Sequence, residues 1–395
     1  MNKLTIRDVD FAGKRVLVRV DFNVPLENGQ VTDDTRIRAS IPTIAYIAQQ
    51  KPTSITLMSH LGRPDGQRDP SMSLQPVAER LAELMNTQVT FVEDCIGEQA
   101  QAAVQSVTDG GILLLENTRY YKGDEKNDPQ VSEALAKHGE VFVNDAFGTA
   151  HRAHASNVGV AKYLPAYAGF LMEKEIDYLS KAIEAPERPF VGIMGGAKVS
   201  DKVKVIENLL DKVDMLLVGG GIANTFNTAR GYAMANSLVD RDALDLVRGL
   251  MEKHGDKIVI PDDSVSGDAF NENANTQVVD LANGIPAGWE SFDIGPKTIE
   301  KYRAILSAAK TVIWNGPVGV FEISIYANGT NAIAQTLAEI TELGVKTIIG
   351  GGDSAAAIEK VGLAERVSHV STGGGASLEL LEGKALPGLV ALKDS

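Results

Sequence analysis

Short apolar runs alternate with longer amphipathic segments along almost the whole chain. The runs are continuous, which is typical of strands buried on both faces of a parallel sheet. They lie at 15–20, 54–59, 89–92, 112–115 and 141–144, and then at 190–194, 215–218, 257–260, 311–314, 347–349 and 367–371. Segments with helical spacing lie at 74–85, 203–210, 243–252, 297–309 and 331–343. This alternation predicts an α/β fold with parallel sheets and right-handed crossovers.

The number of strands favours two domains over one. Eleven runs are more than one open, twisted sheet comfortably holds. The segment 167–187 has the pattern of a long amphipathic helix that ends near Pro186 and Pro189. We therefore expect two doubly wound, Rossmann-like parallel-sheet domains joined by a long helix. The expected limits are 1–170 for the N-terminal domain, 171–187 for the helix, 188–377 for the C-terminal domain and 378–395 for a segment that returns to the first domain.

Composition and charge exclude several classes of protein. The 395 residues are 44% hydrophobic and 23% charged, as in ordinary soluble domains. A net charge of -14 argues against a nucleic-acid-binding protein, and a single cysteine, Cys95, excludes a disulfide framework or a cysteine-based metal site. The N-terminus lacks the apolar core of a signal peptide, and no stretch approaches the ~20 apolar residues of a membrane span. We expect a cytoplasmic protein with no nucleic-acid or membrane partner.

Polar and basic residues follow four strands of the first domain. Ligands of open α/β sheets bind beyond the carboxyl ends of the strands. The residues found there, or at the start of the next helical segment, are Asp21, Asn23, Arg36, His60, Arg63, Arg119 and Arg152. Each one alone could be a turn residue bonded to its own backbone or a solvated side chain. Four such strand ends in one sheet favour a site for a small, multiply anionic ligand, because guanidinium groups bind carboxylates and phosphates in pairs of hydrogen bonds.

Glycine clusters follow the strands of the second domain. They lie at 195–196, 219–221, 316–319, 350–352 and 373–375. Glycines that open a helix expose backbone N–H groups to an anion. Lys198 and Lys202 lie four residues apart, on one face of an expected helix, and Asp353 directly follows a glycine triplet. The lysines could be ordinary surface residues, but their position after a glycine pair favours contact with phosphate. Asp353 could be a helix N-cap, but its position favours contact with Mg²⁺.

Two common nucleotide-binding motifs are missing. No segment matches GxxxxGK[ST], so the chain is not a P-loop NTPase, and no GxGxxG is followed by an acid ~20 residues later. An NAD-dependent dehydrogenase is therefore weakly supported. A non-catalytic, two-lobed anion-binding protein is a second alternative. The pair His151 and His154 could suggest a metal site, but it lacks carboxylate or cysteine partners at ligand spacing.

Nine sequence blocks together resemble the phosphoglycerate kinase family. They are RVDFNVP, SHLGRP, LENTRYY, NDAFGTAHRAH, GGAKVSDK, GGGIANTF, WNGPVGVFE, GGGDS and STGGGASLELLEGK, in the family's order and spacing over nearly the whole chain. The resemblance implies reversible phosphoryl transfer between 1,3-bisphosphoglycerate and MgADP, which yields 3-phosphoglycerate and ATP. It further implies a monomer, hinge closure of the two domains, and Mg²⁺ bound with ADP or ATP.

The resemblance also implies roles for individual residues. Asp21, Asn23, Arg36, His60, Arg63, Arg119 and Arg152 would line the 3-phosphoglycerate site. Lys198, Lys202, Gly219, Gly220, Asn315, Glu322, Gly350, Gly351, Gly352, Asp353 and Ser354 would bind the nucleotide, with Asp353 as the metal ligand. Arg36, Lys198, Lys202, Gly352 and Gly375 would be catalytic. Ser354 stands where we expect Thr, and the segment 322–330 is less typical of the family. No general base is expected, because the acceptor carboxylate is already ionised at pH 7.

Overall fold

Each half of the chain builds its own six-stranded parallel sheet, as the continuous apolar runs predict. The computed structural model describes residues 2–395. The first unit extends to Asp177 and also contains Ala385–Ser395, and the second unit is Tyr178–Lys384. The predicted fold class, with two doubly wound parallel sheets, is confirmed.

The sheet of the first unit contains six strands whose neighbours are all parallel. Its strands are β1 (Arg15–Arg19), β4 (Ser54–Met58), β5 (Val89–Val92), β6 (Gly111–Leu115), β7 (Val141–Asn144) and β8 (Ala166–Ala168), and a small hairpin is formed by β2 (Leu26–Glu27) and β3 (Gln30–Val31). Their order is β5-β6-β4-β1-β7-β8, so the winding direction reverses at β1 and β7. Such a reversal opens a crevice at the carboxyl ends of the strands.

Helices cover this sheet. They are α1 (Thr35–Gln49), α2 (Gln75–Met85), α3 (Glu98–Ser106), α4 (Lys122–Glu125), α5 (Pro129–Ala136) and α6 (Phe170–Glu175). The apolar faces of α1 and α2 join the strands in one aliphatic core, in which Ile44 and Leu81 pack with Val18 and Leu57. Burial of these aliphatic side chains stabilises the layer by about 1.5–3 kcal/mol each.

The segment expected to form one long helix begins differently. Ala166–Ala168 is an edge strand parallel to β7, in which Ala166 and Ala168 are buried and Tyr167 is half-buried. The helix then extends from Phe170 through α6, a π-helical stretch at Ile176–Ser180 and α7 (Lys181–Glu184). Its first turn is held by buried Asp145, whose Oδ1 accepts from the backbone N–H groups of Leu171 and Met172 at 2.9 and 3.2 Å.

The second unit has the strand order typical of dinucleotide-binding sheets. Its strands are β9 (Phe190–Met194), β10 (Met215–Val218), β11 (Ile258–Val259), β15 (Thr311–Asn315), β16 (Lys346–Gly350) and β17 (His369–Val370), in the order β11-β10-β9-β15-β16-β17. All neighbours are parallel. The winding direction reverses between β9 and β15, where such sheets bind ligands.

A second, antiparallel sheet in this unit was not predicted. It consists of β12 (Asp263–Gly267), β13 (Thr276–Asp280) and β14 (Glu290–Ile294), with β12 in the centre. Its sequences, DSVSG, TQVVD and ESFDI, contain neither a continuous apolar run nor a regular alternation. Ser264 and Ser266 are nevertheless buried in it, so hydrophobicity gave no signal for the central strand.

All five predicted helices are present, with small shifts at their ends. Besides α7, the helices of the second unit are α8 (Val203–Leu210), α9 (Gly220–Ala229), α10 (Leu244–His254), α11 (Pro296–Ser307), α12 (Asn328–Glu342), α13 (Gly352–Lys360) and α14 (Gly375–Leu381). The final segment of the chain adds α15 (Pro387–Val390) to the first unit. Across residues 2–395, none of the helices has the length and apolar character needed to cross a bilayer.

Candidate active site

The side chains predicted to bind an anion lie at one edge of the first sheet. Strands β6, β4, β1 and β7 are neighbours and run in the same direction, so the residues that follow them share that edge. Asp21, His60, Arg119 and Arg152 each follow one of these four strands. The topology therefore collects four chain segments, distant in sequence, around one location.

An ion pair orients Arg36 in the first turn of α1. Its Nη1 donates to Asp21 Oδ2 at 2.6 Å, and the Arg36 side chain keeps 38% of its surface exposed. Gly148, which follows β7, faces the same pair, and a Cβ atom there would collide with the Asp21 carboxylate. Asp21 thus aims the guanidinium group towards solvent, and glycine at 148 leaves room for the pair.

The SHLGRP loop is held from two sides. Asn23 Oδ1 accepts from the Gly62 backbone N–H at 2.9 Å, and Arg119 Nη1 donates to the Gly62 carbonyl at 2.7 Å. Arg119 is buried, and burial is the main reason why its pKa is lowered, while Glu125, 3.4 Å away, opposes this effect. The next residue of the loop, Arg63, is exposed. Asn23 and Arg119 therefore fix the loop that presents Arg63.

Arg19 is the arginine at the first of the four strand ends, and it was not among the residues assigned to the anion site. It ends β1, is 1% exposed, and donates from Nε to Ser156 Oγ at 3.1 Å. Its Nη2 lies 3.1 Å from His60 Nδ1. Since a guanidinium group can only donate, the imidazole must accept through Nδ1 and carry its proton on Nε2. The sequence places this arginine at the end of an apolar run but does not show its contact with His60.

His60 and His154, two histidines of this edge, are neutral at pH 7. Burial lowers the pKa of His60 well below its ordinary value, and Arg19 lowers it further. Burial also lowers the pKa of His154 to about 4, although Asp124 opposes the shift. Arg152 donates from Nε to His151 Nε2 at 3.1 Å. Across residues 2–395, no group of three or more His, Cys, Asp or Glu side chains is arranged to hold a metal ion.

In the second unit, Lys202 connects the two strands at the reversal point. Its Nζ donates to Asn315 Oδ1 at 2.8 Å and to the Gly195 carbonyl at 3.0 Å. Burial lowers the pKa of Lys202 to about 8, and Asp353 and Asp201 partly offset the shift. An ammonium group has three N–H donors. Two of them are committed here, so the third can reach an anion beside the glycine loops.

The expectation that Lys198 and Lys202 share a helical face is wrong. Residues 195–202 form a loop, and α8 begins only at Val203, with Lys202 as its N-cap residue. Gly196 has a φ of +122°, which interrupts any helix at this point. Lys198 is consequently exposed in the loop, while Lys202 is turned inward.

The glycine clusters fall into two groups with different physical roles. Gly195 and its neighbours are required by packing between loops, since a Cβ at Gly195 would collide with the Pro317 carbonyl. Gly352 and Gly374 instead have no atom within 4 Å of where a Cβ would lie. Among the predicted residues, Gly219 and Gly220 are also required by packing between loops. Gly350 and Gly351 face the Asn315 side chain. Gly375 is the first residue of α14. The open glycines at the starts of α13 and α14 are therefore the ones suited to meet a ligand.

Asp353 and Ser354 differ in exposure although they are adjacent. Ser354 is buried and its Oγ accepts from the Gly316 backbone N–H at 2.6 Å, which fastens α13 to the end of β15. Asp353 is exposed in the first turn of α13, whose N-cap is Gly351, so Asp353 is not the cap. One exposed carboxylate at an open helix start fits an Mg²⁺ ion that is held mainly by phosphates and water.

An exposed aromatic side chain near these loops was also missed. Phe270 is 64% exposed, and its ring contacts Phe292 edge-on with centroids 5.7 Å apart. The Phe292 carbonyl accepts from the Val320 N–H at 2.9 Å, in the loop that leads to exposed Glu322. Phe270 follows a strand of the unpredicted antiparallel sheet, which explains why the sequence gave no indication of it.

These features define a class of protein. One unit carries an arginine-rich edge, and the other carries a buried lysine and open glycines at helix starts. Both edges lie at strand ends of doubly wound sheets. This combination is that of a two-domain α/β phosphotransferase.

Comparison with known proteins narrows the class to a family. The family model described as phosphoglycerate kinase matches residues 6–384. Phosphoglycerate kinase of Chloroflexus aurantiacus is 59% identical and covers 100% of both chains, and that of Thermosipho africanus is 54% identical over 99% of this chain and 98% of the relative. The solved structure from Coxiella burnetii has 41% identity and a TM-score of 0.91, and that from Pyrococcus horikoshii has 33% and 0.84, each covering 98% of both chains.

The chain therefore belongs to the phosphoglycerate kinase family. Enzymes of this family are glycolytic kinases that transfer a phosphoryl group reversibly between 1,3-bisphosphoglycerate and ADP. The predicted family, enzyme class and reaction are confirmed. The dehydrogenase and the non-catalytic binding protein are set aside.

Proposed function

We propose that the first unit binds 3-phosphoglycerate or 1,3-bisphosphoglycerate and that the second unit binds MgATP or MgADP. The observation that carries this assignment is the concentration of guanidinium groups at the carboxyl edge of the first sheet. Arg36, Arg119 and Arg152 lie there, with Arg19 buried beneath them. Lys202 and the open glycines of the second unit have the complementary chemistry for a phosphate chain.

In the first unit, the arginines bind the two anionic ends of the substrate. Arg63, Arg119 and Arg152 bind the phosphate group that is not transferred, since guanidinium groups match phosphate oxygens. His60 donates from Nε2, because Arg19 occupies its Nδ1. Asp21 and Asn23 act through other groups: Asp21 orients Arg36, and Asn23 holds the loop of Arg63.

In the second unit, the nucleotide extends from an apolar surface to the open helix starts. The base lies against Phe270, whose exposed ring offers a flat apolar face. Glu322 accepts from the ribose hydroxyls. The phosphate chain reaches Lys198, Lys202 and the N–H groups at the start of α13. Asp353 holds the Mg²⁺ ion, which supplies charge neutralisation to the phosphate oxygens when it is bound.

The chemical step needs positioning and charge stabilisation more than proton transfer. In the direction of ATP consumption, a carboxylate oxygen of 3-phosphoglycerate attacks the γ-phosphorus and the bond to ADP breaks. No proton moves, because the attacking carboxylate is already ionised. Arg36, Lys202 and the N–H groups of Gly352 and Gly375 stabilise the negative charge on the equatorial oxygens.

The proposal extends to the behaviour of the whole enzyme. The two substrates are assigned to different units, while the reacting atoms must approach to about 3–3.5 Å. We infer that the units close on each other by hinge motion when both substrates are bound. We further assign the enzyme to the cytoplasm and to a monomeric state.

A coupled assay with 3-phosphoglycerate and MgATP tests the proposed function. ATP consumption is expected to saturate with each substrate and to stop when 3-phosphoglycerate or Mg²⁺ is omitted. ATP consumption that is independent of 3-phosphoglycerate would contradict the proposal, as would the absence of turnover in folded protein.

A further inference from the structure

A buried amide in α9 lacks partners for both of its polar atoms. Asn227 is 0% exposed, and within residues 2–395 neither its Oδ1 nor its Nδ2 has a hydrogen-bond partner. A buried amide without partners is costly, so such groups in native proteins are normally served by protein or by ordered water. The side chain therefore requires an occupant that can both donate and accept.

Asn227 lines a small polar chamber between α9 and β14. The other polar residues of this chamber are Asn224, Asp263, Ser264, Ser291 and Asp293, and its volume is about 10 Å³. One water molecule needs roughly 10–15 Å³ and two to four polar partners. The chamber thus has the size and the polarity for a single water.

The hydrogen bonds already formed within the chamber leave donor and acceptor positions free for that water. Ser264 Oγ and Ser291 Oγ lie 2.6 Å apart, which leaves further donor and acceptor positions on the two hydroxyls. Asn224 Nδ2 reaches the Ser291 carbonyl only at 3.4 Å. A cation could serve Asn227 Oδ1 but would repel its N–H₂ group. Water, which donates and accepts, fits both ends of the amide.

The two carboxyl groups that line the chamber, Asp263 and Asp293, already have donors within the protein. The Asp293 carboxyl accepts from the Ile294 and Gly329 N–H groups at 2.9 and 2.6 Å. Burial still raises the pKa of Asp293 to about 8. Asp263 accepts from the N–H groups of Lys297 and Thr298, at 2.9 Å each, and from the Thr298 hydroxyl at 2.7 Å, so both carboxyls are already bonded to donors of the protein.

We propose that Asn227 is a positioning residue that binds one internal water molecule, and that this water fixes the spacing between α9 and β14. The helix begins at Gly220 and the strand contains Phe292, and both residues also line the chamber. The effect on substrate rests on the nucleotide site proposed above. Loss of the water should loosen this contact and weaken nucleotide binding, while 3-phosphoglycerate binding in the other unit stays unchanged.

The first test is a crystal structure of the wild-type protein without ligands at a resolution near 1.5 Å. We expect a well-ordered water within hydrogen-bond distance of both amide atoms of Asn227. A different occupant, or none, would overturn the proposal whatever the nucleotide site proves to be. A second structure with MgADP shows independently whether the nucleotide lies beside Gly220, and its failure to do so would count against the proposed function alone.

The second test separates positioning from general stability. Asn227→Leu fills the chamber and removes the amide, and we expect the Kd for MgADP to rise roughly five- to tenfold with the Kd for 3-phosphoglycerate unchanged. Asn227→Ser keeps a hydroxyl that can hold water and should restore most of the affinity. Thr336→Val removes a buried hydroxyl of α12 that does not line the chamber and serves as the control for lost stability.

The outcomes are unambiguous. A wild-type Kd for MgADP in folded Asn227→Leu protein would overturn the positioning role, and so would an equal loss of both affinities. If Thr336→Val raises the Kd for MgADP as much as Asn227→Leu does, the effect is a general loss of stability and the positioning role is overturned. If Asn227→Leu does not fold, the wild-type density and the Asn227→Ser affinity still decide the matter.

Discussion

At the scale of single residues, the ion pair between Arg36 and Asp21 shows how a guanidinium group can be aimed and still remain available. The 2.6 Å bond uses one nitrogen of Arg36, and 38% of the side-chain surface stays exposed. Because an arginine has five N–H donors, the remaining ones can contact a transferring phosphoryl group. A carboxylate such as Asp21 can thus lie beside an anion site when its role is to orient an arginine.

Replacing this arginine tests the assignment. We expect Arg36→Ala to lower turnover by on the order of a thousandfold and to leave nucleotide affinity almost unchanged. The reason is that the guanidinium group is assigned to stabilise negative charge in the transition state and not to bind the nucleotide. Arg38→Ala is the matched control, since Arg38 lies two residues further along α1 and pairs with Asp34. Steady-state kinetics and calorimetry measure both quantities. An unaltered turnover number in Arg36→Ala would refute the role.

The low pKa of Lys202 predicts a pH dependence of nucleotide binding. With a pKa of about 8, Lys202 is mostly charged at pH 7 and loses its proton as the pH rises to 9. MgADP affinity should therefore fall over this interval, whereas 3-phosphoglycerate affinity should not follow it. Lys202→Arg should flatten the profile, because a guanidinium group stays charged. The exposed Lys204 provides the control as Lys204→Ala, and a flat wild-type profile would contradict the prediction.

At the scale of elements, the sequence predicted what hydrophobicity encodes and missed what it does not. Continuous apolar runs identified the long strands of both sheets because these strands are buried on both faces. The strand Asp263–Gly267 was missed because its buried positions include hydroxyls that bond to each other. The strand Ala166–Ala168 was not predicted, because three residues are too few to establish a period of two.

The residues of the candidate site were likewise predicted only in part from the sequence. Reading the residues after each strand found Asp21, His60 and Arg119 because parallel strands bring their ends together. Arg19 was found at the first strand end as well, but the sequence did not show that it is buried and bonded to His60. The glycine clusters were found, but packing and ligand contact look alike in sequence, and only the positions of neighbouring atoms separate Gly195 from Gly352.

The start of α13 gives a prediction for Asp353. We expect Asp353→Asn to weaken the binding of the Mg²⁺-nucleotide complex and to leave 3-phosphoglycerate binding unchanged, because the exposed carboxylate is assigned to the metal ion. Glu359→Gln, at the exposed far end of the same helix, is the control for a change in net charge. Calorimetry with each ligand separately measures the effect. If both affinities fall together, or neither does, Asp353 is not the metal ligand.

At the scale of the whole molecule, the two sheets have similar architecture, but the chemical groups at their strand ends differ. The first sheet carries long basic side chains at its strand ends, and the second carries backbone N–H groups, one lysine and an exposed aromatic ring. This division matches a reaction between a small anion and a nucleotide. The family assignment rests on nearly the full length of the chain, 6–384, and so covers both sites.

The central claim is that each unit binds one substrate and that transfer requires the units to close. Small-angle X-ray scattering tests it most directly, on protein without ligands, with 3-phosphoglycerate or a MgATP analogue alone, and with both. Arg119→Ala, which is expected to lose 3-phosphoglycerate, should behave as singly liganded protein throughout. We predict that the radius of gyration decreases most with both ligands present and only partly with either one. A radius of gyration that does not decrease with both ligands bound would contradict the account and require a site that is already assembled.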